Sequence, residues 1–430
     1  MSILIPPGVF DVIPLDPKEP WKSSFLWNYV ESLIREIASV YGYQEIRTPL
    51  FERTELFQRC VGEDTDIVSK EMYTFTDRGN RSMSLRPEGT APVMRAFIDH
   101  KLGQQASIQK LFYIAPMFRY ERSQSGRYRQ HHQFGAEAIG NSSPEQDVEL
   151  IDLLYTFYNR LGLTHLELRL NSIGETSCRT NYRHALQSYL HNYLDKLSPD
   201  SQTRFHTNPF RILDSKDPSD QTILEKAPSI LDFLNSTSRD HFEKVQQLLD
   251  QLKISYKITP KLVRGLDYYN KTVFEITAGE LGAQNSIGGG GRYDGLLKQM
   301  GGVDLPAMGF GSGIERVLQT LLKQQVSLPS PSKPLLYLIA LGEEAKKKSF
   351  LLLHEARQKG IATCMDFTGR KLNKVMQAAN QIGASYVAII GEHELQSQEL
   401  TLKHMATGTH CSLAFNDLIP HLLQEHRNSV

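Results

Sequence analysis

The chain has 430 residues, enough for two or three domains with an ample core. Lysine plus arginine and aspartate plus glutamate each number 48, so no global field draws the protein to nucleic acid and any RNA contact must use local patches. The four cysteines, Cys60, Cys178, Cys364 and Cys411, are scattered without CxxC spacing, which speaks against a structural zinc site or a disulfide framework. No apolar stretch is long enough to span a bilayer, and the N-terminal MSILIPPGVFDVIP is broken by prolines and lacks a basic region, so a soluble, cytoplasmic protein is expected.

In chain order, Phe25, Tyr29, Leu33 and Ile37 recur at helical spacing and Gly42 stands where a left-handed cap belongs, which predicts an amphipathic helix over Lys22–Tyr41. YQEIRTPLFE then reads as extended. The next block places two strands around the turn-rich Asp77–Asn80 and closes on LRPEGT at a helix start. Thr90 is the expected cap, with Pro92 in the first turn, and the helix dipole favours Glu88 beside that terminus.

The stretch from Leu111 to Gly140 carries the densest chemistry. An apolar strand, LFYIAPMFRYE, runs into a turn at Ser123–Gly126 and returns as RQHHQFGAEAIG. A two-residue period puts Arg119 and Glu121 on one face of the first arm, and gives Arg127, Arg129, Gln133 and Glu137 a shared parity on the second. Guanidinium groups interleaved with aromatics are expensive to bury without purpose, and their planar forks suit phosphate oxygens. A polyphosphate substrate is the first expectation.

Further on, Pro144–Leu161 has helical spacing and HLELRLNSIG is a strand. From about residue 177 to 252 the composition turns polar and helical, with no chemical constellation. KLVRGLDYYNKTVFEIT is expected to be a strand pair turning at Asn270–Lys271, with Arg264, Tyr268 and Tyr269 close together. GGGGRYDGLLKQMGG lets a backbone approach a ligand closely, and MGFGSGIERVLQTL reads as a strand packed on a helix opened by Glu315 and Arg316. VSLPSPSKP is a linker. Beyond it strands and helices alternate in the βαβ manner, and Arg370, Lys371 and Lys374 suit either RNA phosphates or a solvated helix face.

The hairpin with PMFRYERSQSGRYRQ closely resembles motif 2 of the class II aminoacyl-tRNA synthetases, in the form found in the histidyl-tRNA synthetase family. RGLDYY and GGGGRYDGL resemble that family's two histidine-specific motifs, GxGxGxER resembles class II motif 3, and the first helix with YQEIRTPLFE resembles motif 1. The resemblance implies an α+β fold: an antiparallel-sheet catalytic domain over 1–325 with a helical insertion at 177–252, a linker at 326–334, and a small α/β anticodon-binding domain over 335–430. It also implies a homodimer that joins L-histidine to tRNA(His) at the expense of ATP, with Mg2+ accompanying the polyphosphate.

Residue by residue, the resemblance assigns the α-phosphate to Arg119, nucleotide contacts to Glu121, Arg127 and Arg316, and transition-state stabilisation to Arg264 as a fixed cation. Glu88 and Thr90 would hold the amino group of histidine. Gln133 and Glu137 would take its amino group and ring nitrogen, and Tyr268 and Tyr269 would wall the imidazole. Arg122 and Gln124 at the hairpin tip match positions that read the 5′ end of the tRNA. His131 stands where class II enzymes usually place an adenine-stacking phenylalanine, and an imidazole can stack there too. The competing reading is the regulatory paralogue of an ATP phosphoribosyltransferase, which shares the catalytic fold. Retention of Arg119, Arg264, Arg316 and a C-terminal domain argues against it.

Overall fold

The computed structural model describes residues 3–62, 65–121, 126–279 and 285–429, in two compact units, Met1–Pro329 and Ser330–Val430. The first unit carries strands β1 (Gln44–Glu45), β2 (Phe51–Arg53), β3 (Thr74–Thr76), β4 (Ser82–Leu85), β5 (Gln109–Phe118) and β6 (Gln130–Ile139). After these come β7 (Leu166–Ser172), β8 (Tyr256–Ile258), β9 (Asn270–Ala278), β10 (Ser286–Arg292) and β11 (Ala307–Gly313). Eight of them form one sheet in the order β1-β5-β6-β11-β10-β9-β7-β8, and β2-β4-β3 form a small sheet beside it. The pairings from β5 across to β7 are antiparallel, and the outermost strands β1 and β8 add in parallel.

Alternation along the central strands separates a packed face from a chemical one. Phe112 of β5, Phe134 of β6, Ile276 of β9 and Phe310 of β11 point into a core closed by helices Ser24–Val40, Pro144–Arg160, Ser236–Gln251 and Ile314–Lys323. Leu111, Tyr113 and Met117 of β5 face the other way, toward helix Thr90–Asp99 and the first helix of the polar stretch, Thr176–His191. The first and last helices of the stretch beginning near residue 177 therefore pack on opposite sides of the sheet, through Tyr182 and Leu186 at one end and Phe242 and Val245 at the other.

The sequence expectation fails at KLVRGLDYY. Only β9, from Asn270 onward, is a strand, and Val263–Tyr269 is irregular backbone. Side chains from elsewhere hold the carbonyls just before it and at its end. Asn171 of β7 donates to the carbonyls of Pro260 (3.1 Å) and Leu262 (2.9 Å), and Arg179 donates to that of Tyr269 (2.9 Å). A strand would need a neighbouring ladder there; an amide and a guanidinium take carbonyls at the two ends instead.

The glycine run is a central strand rather than a loop. At Gly290 a methyl group would meet the Gly309 carbonyl and come within 2.6 Å of the Phe310 Cα, both on β11. Backbone cannot yield as a side chain does, so only glycine lets β10 and β11 approach this closely.

The second unit holds β12 (Leu336–Ala340), β13 (Thr363–Met365), β14 (Tyr386–Ile390), β15 (Glu399–His404) and β16 (His410–Ala414), ordered β13-β12-β14-β15-β16. Its first three strands are parallel and its last two form an antiparallel hairpin. Arg370, Lys371 and Lys374 are exposed, and Arg370 is paired with Asp366 at 3.1 Å.

Gly290→Ala is expected to destabilise the first unit by about 1–3 kcal/mol or more in denaturant unfolding. Gly279→Ala, where a methyl meets nothing within 4 Å, should leave the midpoint within error. Equal effects would refute the close-packing account.

Candidate active site

Two adjoining cavities open on the chemical face of the sheet. The larger, about 230 Å³, is lined by Arg119, Glu121, Arg127, His131, Arg316 and the backbone of β10 and β11. The smaller, about 140 Å³, is lined by Glu88, Thr90, Tyr113, Tyr268 and Tyr269. Arg119, Gln133 and Arg264 line both. Side chains from the hairpin and from the irregular RGLDYY segment thus meet at one boundary.

Each cation is held by a different device. Arg119 lies one residue past β5, and its N–H donates to the Arg129 carbonyl at 2.9 Å, continuing the ladder. Its Nε donates to the Pro87 carbonyl at 2.8 Å. Arg127 and Arg119 flank Glu121 at 3.3 and 4.0 Å, and this carboxylate lowers the repulsion between the two guanidinium groups. Arg264 pairs with Glu275 at 3.2 Å, and its buried Nε has no acceptor among the described residues. Gly289 is the reason Arg264 fits, since a methyl there would come within 2.9 Å of the Arg264 Nη1. Arg316 spends Nε and Nη1 on the carbonyls of Gly126 (3.0 Å) and Ser286 (2.8 Å). Glu315, beside it, accepts from the His132 N–H at 2.8 and 3.0 Å and meets His132 Nδ1 at 2.9 Å, tying the last helix of the unit to the hairpin.

In the smaller cavity Glu88, not Thr90, caps the helix Thr90–Asp99. Its two oxygens accept from the N–H groups of Thr90 (2.7 Å) and Ala91 (2.8 Å), while Gly89 occupies the cap position. Burial raises the Glu88 pKa. The Thr90 hydroxyl is thereby freed to donate to Glu137 at 2.9 Å. Tyr113 donates to the same oxygen at 3.2 Å, and the Tyr293 hydroxyl to the other. Glu137 has no exposed surface, and burial pushes its pKa up to about 8. The rings of Tyr268 and Tyr269 lie 4.7 Å apart, with Tyr293 edge-on to both.

Two family models match the chain: histidyl-tRNA synthetase over residues 24–317 and an anticodon binding domain over 336–425. The histidine–tRNA ligase of Protochlamydia amoebophila is 65% identical over 422 residues, covering 98% of this chain and all of that one. That of Geobacillus kaustophilus is 49% identical over 428 residues, covering 99% of each. The apo crystal structure of Staphylococcus aureus histidyl-tRNA synthetase superposes with a TM-score of 0.83 at 37% identity, over 98% of this chain and all of that one. The chain belongs to the histidyl-tRNA synthetase family. Its catalytic unit and its anticodon-binding domain have the α+β architecture expected from the sequence.

The synthetase fold collects most of the residues singled out in the sequence. Arg119, Glu121, Arg127, Gln133, Arg264 and Arg316 line the larger cavity, and Glu88, Thr90, Tyr268 and Tyr269 the smaller. Two do not follow strand parity to the surface. Glu137 shares a face with Gln133 but lies beneath the cavity wall, covered by its three hydroxyl partners. Arg129 turns away, lying over the Tyr120 ring at 4.1 Å with its stem against Gly8. Arg122 and Gln124 lie outside the described residues. Tyr113 and Tyr293 were not expected in the site. Tyr113 shares the parity of Arg119 and Tyr293 sits inside the second histidine-specific motif, so a signal existed for each. His131 lines the larger cavity, and burial lowers its pKa to about 3, leaving the imidazole neutral at physiological pH.

The pH dependence of Glu137 has a definite sign. Unfolded, the carboxyl ionises near 4.5; folded, its pKa stands at about 8, so folding favours the protonated form. That contribution is complete below pH 4.5 and is lost as pH rises through 8. Compared with Glu137→Gln, which cannot ionise, the native protein should lose stability across this window in denaturant titrations at several pH values. A difference that stays constant with pH would overturn the assignment.

Proposed function

We infer that the protein is a histidine–tRNA ligase, activating L-histidine with ATP to histidyl-adenylate and transferring it to the 3′ end of tRNA(His). The observation that carries this reading is the meeting of Arg119 and Arg264 at the boundary between a cationic cavity and a tyrosine-walled one. In the first step the histidine carboxylate attacks the α-phosphorus of ATP and pyrophosphate leaves. In the second, the terminal ribose hydroxyl of the tRNA attacks the acyl carbon and AMP leaves. Positioning and charge stabilisation account for the first step, and no covalent enzyme intermediate is needed.

Arg119 holds the α-phosphate, and Arg264 neutralises charge as it develops on the phosphorus. The unpartnered Nε of Arg264 supports this role, because a buried donor without an acceptor is costly until an anion arrives. Glu121, Arg127 and Arg316 position the nucleotide. ATP enters as its magnesium complex, the ion travelling with the phosphate oxygens as part of the substrate. Glu88 and Thr90 receive the ammonium group with Gln133, Glu137 acts on the ring nitrogen through the hydroxyls that cover it, and Tyr268 and Tyr269 enclose the imidazole. A site that hydrogen-bonds a ring nitrogen rejects apolar isosteres strongly.

We assign the 5′ end of the tRNA to Arg122 and Gln124, the acceptor stem to the helical stretch from residue 177 to 252, and the anticodon to the C-terminal unit. The enzyme works in the cytoplasm as a homodimer. Retention of Arg119, Arg264 and Arg316 sets this reading above that of a non-catalytic paralogue.

ATP–pyrophosphate exchange should depend on histidine and on no other amino acid; exchange driven equally well by proline, threonine or glycine would sink the assignment. Arg264→Ala should lower the adenylation rate constant by about 10²–10³ while changing histidine affinity far less. The reverse pattern counts against its role. His131→Phe should leave exchange within about threefold, since either ring offers a face to adenine. A collapse would show that the neutral imidazole makes a specific contact.

A further inference from the structure

Arg292 is among the largest side chains in the molecule with no exposed surface, and it lines neither substrate cavity. It ends β10. Its Nε donates to Asp147 at 2.9 Å and its Nη2 to the same oxygen. Further bonds run from Nη1 to the Asn141 carbonyl (3.1 Å) and to Asp294 (3.0 Å), and from Nη2 to the Ser143 carbonyl (3.3 Å). Asp147, equally buried, lies in helix Pro144–Arg160. Its second oxygen is 2.7 Å from Nε2 of His241, which lies on Ser236–Gln251, the last helix of the polar stretch on the far side of the sheet from the cavities. One carboxylate thus joins that helix to the end of β10.

The residue after Arg292 is Tyr293, whose hydroxyl meets Glu137 and whose ring stands edge-on to Tyr268 and Tyr269. A fully engaged guanidinium fixes direction as well as distance, because its planar donors tolerate little rotation. As a source of stability alone, such a buried ion pair is a poor device, since an apolar cluster of the same volume serves as well or better. Its geometric product is the placement of Tyr293.

We propose that His241, Asp147 and Arg292 are positioning residues for the amino-acid pocket. They fix the Tyr293 hydroxyl against Glu137, and so make histidine affinity depend on the seating of a helix that touches no substrate. The inference rests on the reading that histidine occupies the smaller cavity.

The test uses the full-length protein in ATP–pyrophosphate exchange, with histidine and ATP varied separately. His241→Ala should raise the KM for histidine by about 5- to 10-fold, and leave kcat and the KM for ATP within about twofold. His241→Gln, whose amide nitrogen can still donate to Asp147, should restore the native value. Tyr293→Phe should raise the histidine KM similarly, and the double variant should be no worse than Tyr293→Phe alone, because both changes break one link. Multiplicative effects, or equal shifts for both substrates, would overturn the proposal. If His241→Ala does not fold, His241→Asn, too short to reach Asp147, supplies the same readout. Absence of histidine-dependent exchange in the native protein would remove the functional reading itself. Normal exchange with an unchanged histidine KM in the variants removes only this inference.

Discussion

Two like charges held at one boundary are the constraint around which the catalytic unit is built. Arg119 and Arg264 repel each other, and a chain with balanced charge offers no surrounding anionic field to relieve them. Relief is local: Glu121 sits between Arg119 and Arg127, Glu275 beside Arg264, and backbone carbonyls take Nε of Arg119 and Nε and Nη1 of Arg316. This leaves a cationic cavity, a setting that suits an anion with several oxygens. The sheet beneath Arg264 is low: at residue 289 of β10 a side chain would run into the Phe274 carbonyl and the Arg264 guanidinium, and the residue is glycine.

The adjoining cavity follows a different logic. Hydroxyls and rings join Glu88 in walling its inner part, and beneath that wall Glu137 is held at a raised pKa by burial while three hydroxyls donate to it. A phosphate region needs fixed charge; a region for a neutral aromatic heterocycle needs directional hydrogen bonds and apolar faces. The fold provides fixed charge and directional donors on one surface because strand alternation keeps the chemical face clear of the packed core. The irregular RGLDYY segment crosses between them, held by Asn171 on the carbonyls just before it and by Arg179 at its end rather than by a ladder of its own.

Much of this was legible in the sequence, where local pattern and tertiary placement agree. The period of two in the hairpin put Gln133 on the face it occupies, and the helical spacing after Lys22 marked Ser24–Val40 closely. The pattern misled where a side chain had another option. Arg129 has the right parity, yet its long stem found Gly8 and the Tyr120 ring. Thr90 has the composition of a helix cap, yet the helix already begins at Thr90, Glu88 accepts from its first two N–H groups, and the Thr90 hydroxyl turns to Glu137. RGLDYYNKT reads as strand because tyrosine and threonine favour strands, but side-chain amides can satisfy a backbone as well as a neighbouring strand can.

By itself the sequence determined the architecture, the hairpin, the chemistry of the arginines and the family resemblance, because these depend on residue type and short-range spacing. Only the tertiary structure decided which atoms meet: that Arg119 and Arg264 share a boundary, that Glu137 lies under a layer of hydroxyls, and that His241 and Arg292 bind one carboxylate. Those juxtapositions join residues far apart in the chain. Their distances are set by strand register and by the volume of everything packed between them, neither of which any local stretch of sequence contains.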